Sequence, residues 1–228
     1  DEQELLLESV REFCDRYFTD DVVKEMYENG GMPDEIAAAY RDAGFGLMGI
    51  PEEYGGIPAD KVTLGLMIEE LYHSAGCMHI LYQNSLSMFD IMEFGTEEQK
   101  QQAVDHYMET GWPIASLSIS EPGAGSDNGS MTCVAKKQAD GTYKLSGQKT
   151  WVTMGEKLPY TIVVAKDEDP SRENRNMSLW YIPHGHPRAF PPLRCTRSAS
   201  SASRSARSTS TTSSLPKSSA WASRAKAS

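Results

Sequence analysis

The chain has 228 residues, of which 39% are hydrophobic and 24% charged, a composition typical of a globular protein with one or two domains. No apolar run approaches the ~20 residues that a membrane-spanning helix needs. The first ten residues, DEQELLLESV, are acidic and lack the basic segment that opens a secretory signal. We therefore expect a cytoplasmic protein without membrane association. Its four scattered cysteines are expected to be reduced thiols, and no metal site is expected.

Charge is distributed unevenly along the sequence. Residues 194–228 contain seven of the 22 basic residues and none of the 32 acidic ones. Residues 1–193 therefore carry 15 basic against 32 acidic residues, a net charge of −17, which argues against nucleic-acid binding by this part. The 35-residue tail has 13 Ser, 7 Ala, one Leu and one Trp. It cannot bury a core, so we predict that it is disordered.

Residues 1–113 show the apolar periodicity of an all-α domain. Leu6, Val10, Phe13 and Tyr17 lie on one stripe of a first helix. A second helix begins at Pro33, and a central, mostly apolar helix and two further ones follow. The predicted helices span 2–18, 33–44, 62–76, about 78–94 and 96–111, the last capped by Thr96.

From Ile114 the pattern changes to alternating and β-branched residues. Strands are predicted within 113–120, 132–153, 160–166 and 178–183, with a hairpin turn at Ala139-Asp140-Gly141. A helical half followed by a β half predicts an α+β protein with two segregated domains, 1–113 and 114–193, rather than an alternating fold.

A glycine-rich stretch, ISEPGAGSDNG, occupies residues 119–129. The spacing of Gly123, Gly125 and Gly129 is one residue too long for a dinucleotide-binding fingerprint, and no helix pattern follows. No Gly-Lys-Ser/Thr follows either, which excludes a P-loop. Composition leaves two interpretations open: a surface turn between strands, or a loop that cradles a phosphate or the polar edge of a ring.

Two motifs identify the kind of protein. SISEPGAGSD (118–127), together with QKTWVTMG (148–155), resembles the acyl-CoA dehydrogenase family of flavoproteins. The family has a strand ending in Thr-Glu-Pro-x-Ala-Gly-Ser-Asp and a Trp-x-Thr on the next hairpin. The stretches IPEEYGG (50–56) and GTEEQK (95–100) are similar to family segments in the same order. The stretches VTLGLMIEEL and LYQ also resemble the crotonobetainyl-CoA reductase branch, which acts on carnitine derivatives.

The resemblance implies a fold and a chemistry. The family has a helical N-terminal domain, a central β-domain of barrel or sandwich type and a C-terminal four-helix bundle, and it binds FAD and an acyl-CoA thioester. A carboxylate removes the α-proton, a β-hydride passes to flavin N5, and electrons go to an electron-transfer flavoprotein. The catalytic Glu lies in the bundle, which we expect to be absent here together with part of the β-domain. We therefore expect no catalytic residue in this chain, and a homotetramer or homodimer only at full length.

The resemblance also implies site residues. Residues 117–126 would lie along the flavin and its diphosphate, Ser126 would also touch the acyl-CoA, Trp151 would pack on the isoalloxazine and Thr153 would donate to N5. A core aromatic and an ordinary strand Thr are the alternatives for the last two taken singly. Ser120 departs from the family's Thr. The expected FAD-binding residues are Leu117, Ser118, Ile119, Ser120, Gly125, Ser126, Trp151, Val152 and Thr153.

The tail permits a specific hypothesis. Codons allowed for residues 194–228, taken one nucleotide out of frame, can encode segments such as LGEEGKGF that are similar to the missing part of the family. We therefore predict a frameshift, the alternative being a genuine basic arm. The functional hypotheses are a flavin-dependent acyl-CoA dehydrogenase, inactive as this chain, or a non-enzymatic remnant with weak flavin or CoA binding and an anion-binding tail. An oxidase of the same fold is a third.

Overall fold

The computed structural model describes residues 2–82, 85–167 and 177–184, together with the backbone of short strands at 192–193, 205–208, 213–215 and 220–221. The chain forms two compact units, and the division between them along the sequence falls between Pro113 and Ile114. Each unit is described separately below.

The first unit is helical, as the apolar periodicity predicts. Its helices are α1 (Glu2–Tyr17), α2 (Asp20–Asn29), α3 (Asp34–Asp42), α4 (Lys61–Ala75), α5 (Ser85–Phe94) and α6 (Glu97–Thr110). The sequence did not predict α2, which begins with two acidic residues and ends at Gly30 with a φ of 65°. The predicted fourth helix starts at Ser85 rather than near Met78.

Side-chain caps explain where two helices begin. The Asp60 carboxylate accepts hydrogen bonds from the first-turn N–H groups of Val62 (2.8 Å) and Thr63 (2.9 Å) at the start of α4. Thr96 and Gln99 form a reciprocal capping box at the start of α6, which confirms Thr96 as the predicted cap.

The core of the first unit lies where α1 packs against α4 and α3. Phe13 of α1 meets the rings of Tyr40 and Phe45 at centroid distances of 5.9 and 5.7 Å. Met67 and Leu71 of α4 are fully buried. Arg11 of α1 and Glu70 of α4 form an ion pair with a nitrogen-to-oxygen distance of 2.8 Å. The described residues contain no helix that is both long enough and apolar enough to cross a membrane.

The second unit is built on strands. They are β1 (Ala115–Ser118), β2 (Val134–Lys137), β3 (Tyr143–Ser146), β4 (Lys149–Thr153), β5 (Tyr160–Asp167), β6 (Met177–Pro183), β7 (Pro192–Leu193), β8 (Ser205–Ser208), β9 (Ser213–Leu215) and β10 (Ala220–Trp221). One sheet has the order β10-β6-β5-β2-β3-β9, with β1 on β5, and a second has the order β4-β8-β7. The pairing of β2 with β3 confirms the predicted hairpin.

The larger sheet is mixed, because β1 and β2 both run parallel to β5 while its other pairs are antiparallel. Its buried face carries Val163, Ala165, Trp180 and Ile182, all at most 1% exposed. The expected α+β arrangement is thereby confirmed. The disorder and frameshift predicted for 194–228 fall largely outside the described residues, which there comprise only the backbone of β8, β9 and β10.

Candidate functional site

The first candidate segment is the end of β1 and the loop that follows it. Leu117 packs against the core of the second unit, and the buried Ser118 hydroxyl lies 2.8 Å from that of Thr161. Glu121 and Ala124 exchange backbone hydrogen bonds of 2.8 and 3.2 Å, which close a tight turn.

At the tip of that turn and beyond it, the loop is open to solvent. Gly123, Gly125 and Ser126 are exposed, and a Cβ built on either glycine would meet nothing within 4 Å. Packing within this chain therefore does not require glycine at either position. A bare, exposed backbone instead suits the close approach of a ligand.

The second candidate segment is β4. Trp151 is 68% exposed and has a φ of 60°, and the register of the strand shifts between Lys149 and Val152. Val152 is buried, and Thr153 is half-buried. A bulky residue with positive φ costs about 1–3 kcal/mol and persists where the surroundings enforce it, most often at ligand sites. Exposure and strain together exclude the alternative that Trp151 is an ordinary core aromatic.

Direct hydrogen bonds join the two segments. The Thr150 N–H donates to the Ser120 carbonyl at 2.8 Å. The Lys149 ammonium donates to the Ile119 carbonyl at 2.8 Å and to Oε1 of Glu121 at 2.9 Å. The start of β4 is therefore bonded to three consecutive residues after β1, which brings the two sequence motifs into one place.

Glu121 is the most heavily bonded side chain of the site. Its Oε2 accepts from the N–H (2.6 Å) and hydroxyl (2.7 Å) of Thr132, and its Oε1 accepts from the N–H of Cys133 (2.9 Å) as well as from Lys149. Burial by itself raises the pKa of Glu121. The hydrogen bonds from Thr132, Lys149 and Cys133 outweigh burial and lower the pKa overall. Glu121 is therefore a charged, saturated acceptor at neutral pH.

The structure brings some of the expected site residues together directly. The bonds between the segments involve Ile119 and Ser120, whereas Gly125 and Ser126 lie farther along, on the exposed part of the loop. Sequence reasoning placed Glu121 only within the range 117–126 along the flavin, and it gave no role to Lys149. The signal that could have found them is a single charge of each sign inside otherwise apolar or small strand-end segments, because such charges must find a partner when buried.

Metal chemistry has no support among the residues that the structure describes, where no group of three His, Cys, Asp or Glu side chains could hold an ion. Cys14, Cys77 and Cys133 carry free thiols. Burial raises the pKa of Cys133 to about 11, so this thiol is inert at neutral pH although it lies beside the site.

The helical unit followed by the mixed-sheet unit matches the fold of solved acyl-CoA dehydrogenases. A glutaryl-CoA dehydrogenase from Mycobacterium smegmatis in complex with FADH2 has this fold, with a TM-score of 0.80 at 25% identity over 96% of this chain and 55% of that one. The family models for the acyl-CoA dehydrogenase N-terminal and middle domains match residues 1–110 and 116–212. This chain belongs to the acyl-CoA dehydrogenase family, whose members are oxidoreductases.

Curated relatives agree with this placement. The probable acyl-CoA dehydrogenase YdiO of Escherichia coli K12 is 36% identical over 187 residues, which are 82% of this chain and 48% of YdiO. CarC, a subunit of the caffeyl-CoA reductase–Etf complex of Acetobacterium woodii, is 29% identical over 187 residues, 80% of this chain and 48% of CarC. The chain spans about half the length of the curated relatives it matches.

Proposed function

We propose that this chain forms the helical and central β parts of an FAD-dependent acyl-CoA dehydrogenase. The reaction is α,β-desaturation of an acyl-CoA thioester or the reverse reduction, with electrons exchanged with an electron-transfer flavoprotein. Family membership supports the reaction class. The similar glutaryl-CoA dehydrogenase in complex with FADH2 supports the cofactor, and CarC, a subunit of a complex with Etf, supports the redox partner. A cytoplasmic location, a homotetramer or homodimer and the carnitine-related branch stay predictions.

The observation that carries the proposal is the conformation of Trp151. Its indole is 68% exposed on a backbone with a φ of 60°. The preceding residue, Thr150, bonds to Ser120 at the start of the glycine-rich stretch. A flat aromatic side chain held in solvent at an energetic cost is suited to stacking on a planar ring.

The residues present fit FAD. Trp151 would stack on the ring system, the half-buried Thr153 hydroxyl would donate a hydrogen bond to N5, and the open backbone at Gly125 and Ser126 would approach the diphosphate. Ser126 would also face the acyl-CoA. When bound, FAD supplies a hydride acceptor at N5. The contribution of Thr153 is to stabilise the charge and proton that N5 gains on reduction.

The carboxylate base of the reaction is not Glu121. A general base needs a free lone pair and a pKa near the working pH, whereas both Glu121 oxygens accept two hydrogen bonds and its pKa is lowered. We therefore propose that the carboxylate that removes the α-proton lies outside the loop after β1 and outside β4.

Titration of the 228-residue chain with FAD tests the proposal. Wild-type protein should bind FAD with quenching of flavin fluorescence, and Trp151→Ala should bind about ten-fold more weakly, because one aromatic stacking contact contributes about 1–3 kcal/mol. Val62→Ala is the control, since Val62 is similarly exposed, at 66%, but belongs to the helical unit. No binding by the wild type, or equal binding by Trp151→Ala, would refute the proposal.

The non-enzymatic alternative depends on residues 194–228, which lie largely outside the described part of the chain. Salt-dependent binding of the isolated tail to nucleic acid would be its signature. No contact of the described residues favours this alternative over the flavin site.

A further inference from the structure

A fully buried ion pair lies beneath the two joined segments. The side chains of Lys149 and Glu121 are only 1% and 2% exposed, and their charged atoms are 2.9 Å apart. Burying two charges is costly unless every donor and acceptor is satisfied, and a buried pair is by itself weak evidence for a stabilising role. The position of this pair in the fold indicates what else it does.

The pair connects three stretches of backbone. Lys149, the first residue of β4, bonds to the carbonyl of Ile119 after β1, and Glu121 bonds to the N–H groups of Thr132 and Cys133 just before β2. Through these bonds the first residue of β4 is held at a set position relative to the glycine-rich loop.

Trp151 follows Lys149 by two residues, within the register shift of β4. A strained φ persists only where the surroundings over-determine it, because otherwise the backbone relaxes into an allowed region. On the N-terminal side of Trp151, the bonds of the Lys149 ammonium and the hydrogen bond from Thr150 to Ser120 are among the contacts that can impose the strain.

We propose that the Glu121–Lys149 pair is a positioning device that holds Trp151 in its strained conformation and so presents the indole to the flavin. The inference rests on the proposed function for the identity of the ligand, but the effect of the pair on Trp151 is a property of the flavin-free protein. Both charges act on Trp151 through the backbone of β4.

The test removes both charges together, since removing one leaves the other buried and unpaired. Glu121→Gln/Lys149→Met keeps the volume of both side chains. The control is Ile182→Val, which loosens the fully buried core of the same unit at a distance along the chain from both motifs. Unfolding by urea, followed by circular dichroism, checks that both proteins fold.

The primary readout is fluorine NMR of the 228-residue chain labelled with 5-fluorotryptophan. The Trp151 resonance, assigned by its loss in Trp151→Phe, is expected to shift and sharpen in the double variant, while the resonances of the buried Trp112 and Trp180 stay in place. Ile182→Val should leave the Trp151 resonance unchanged. An unchanged Trp151 resonance in the folded double variant, or an equal shift in the control, would overturn the proposal.

Two further measurements separate the possible failures. FAD affinity is expected to fall about ten-fold in the double variant and to be unchanged in the control, which is the size of loss typical when an outer support of a ligand site is removed. A wild type that binds no FAD contradicts the proposed function, while the fluorine spectrum still decides the role of the pair. If the double variant does not fold, Lys149→Arg replaces it, because Arg keeps the charge but places it at a different distance from the backbone. The Trp151 resonance is then expected to shift in Lys149→Arg.

Discussion

His79 in the helical unit makes the stability of the protein depend on pH in a calculable way. Its ring is 2% exposed, stacked at 4.3 Å on Tyr72 and 5.0 Å from Phe18. Neither ring nitrogen has a side-chain or backbone partner at normal hydrogen-bond geometry among the described residues. Burial lowers the pKa of His79 from 6.5 to about 4, and the backbone of Leu71 opposes this shift only in part.

The sign and size of the effect follow from this pKa. The folded protein binds the proton of His79 more weakly than the unfolded chain, so the unfolded state carries more protons between pH 6.5 and about 4. The stability that depends on a neutral His79 is fully present above pH 6.5 and is lost as the pH falls through this window. At about 1.4 kcal/mol per pKa unit, protonation lowers the free energy of unfolding by about 3 kcal/mol.

Urea unfolding followed by circular dichroism, at a series of pH values across this window, measures the loss. His79→Phe keeps a ring between Tyr72 and Phe18 but cannot take up a proton, so its free energy of unfolding should fall by about 3 kcal/mol less than that of the wild type. His73→Gln, at an exposed position of α4, is the control and should follow the wild type. Equal losses in wild type and His79→Phe would refute the reasoning.

Two substitutions in the second unit test the backbone of the site. Trp151→Asn should stabilise the protein by about 1 kcal/mol and so raise its thermal unfolding temperature, because Asn adopts a positive φ more readily and little burial is lost. FAD binding should weaken in the same variant. Lower stability would contradict the assignment of strain. Gly147→Ala should lower the free energy of unfolding in urea by about 2–3 kcal/mol, because its Cβ would lie 2.5 Å from the Cα of Cys133; unchanged stability would contradict that close contact.

Helices were predictable where their signals are local. Thr96 caps α6 through residues three positions away, so the short sequence around it contains the whole signal. The α2 segment was missed although Val23, Met26 and Tyr27 recur at helical spacing, because this apolar stripe covers little more than one turn between acidic residues. The start of α5 was placed too early because Ile80 and Leu81 are apolar and buried but lie in a turn, and burial alone does not distinguish a turn from a helix.

The site was predictable only in outline. The two motifs identify its segments by resemblance, but alternation along a strand does not say that β1 and β2 run parallel to β5. The positive φ of Trp151 has no local signal, because bulky residues normally avoid it. The partnership of Glu121 with Lys149 spans 28 residues, and nothing in the spacing of two charges so far apart makes them partners.

The position of the β2–β3 hairpin within those 28 residues has a consequence for folding kinetics. The hairpin can form on its own in microseconds, and it lies between Glu121 and Lys149. Once the hairpin has closed, fewer flexible residues separate Glu121 from Lys149. The entropic penalty for forming the Glu121–Lys149 contact is therefore smaller. We therefore expect the hairpin to fold first and the segments of the proposed flavin site to come together late, when the second unit is already almost complete.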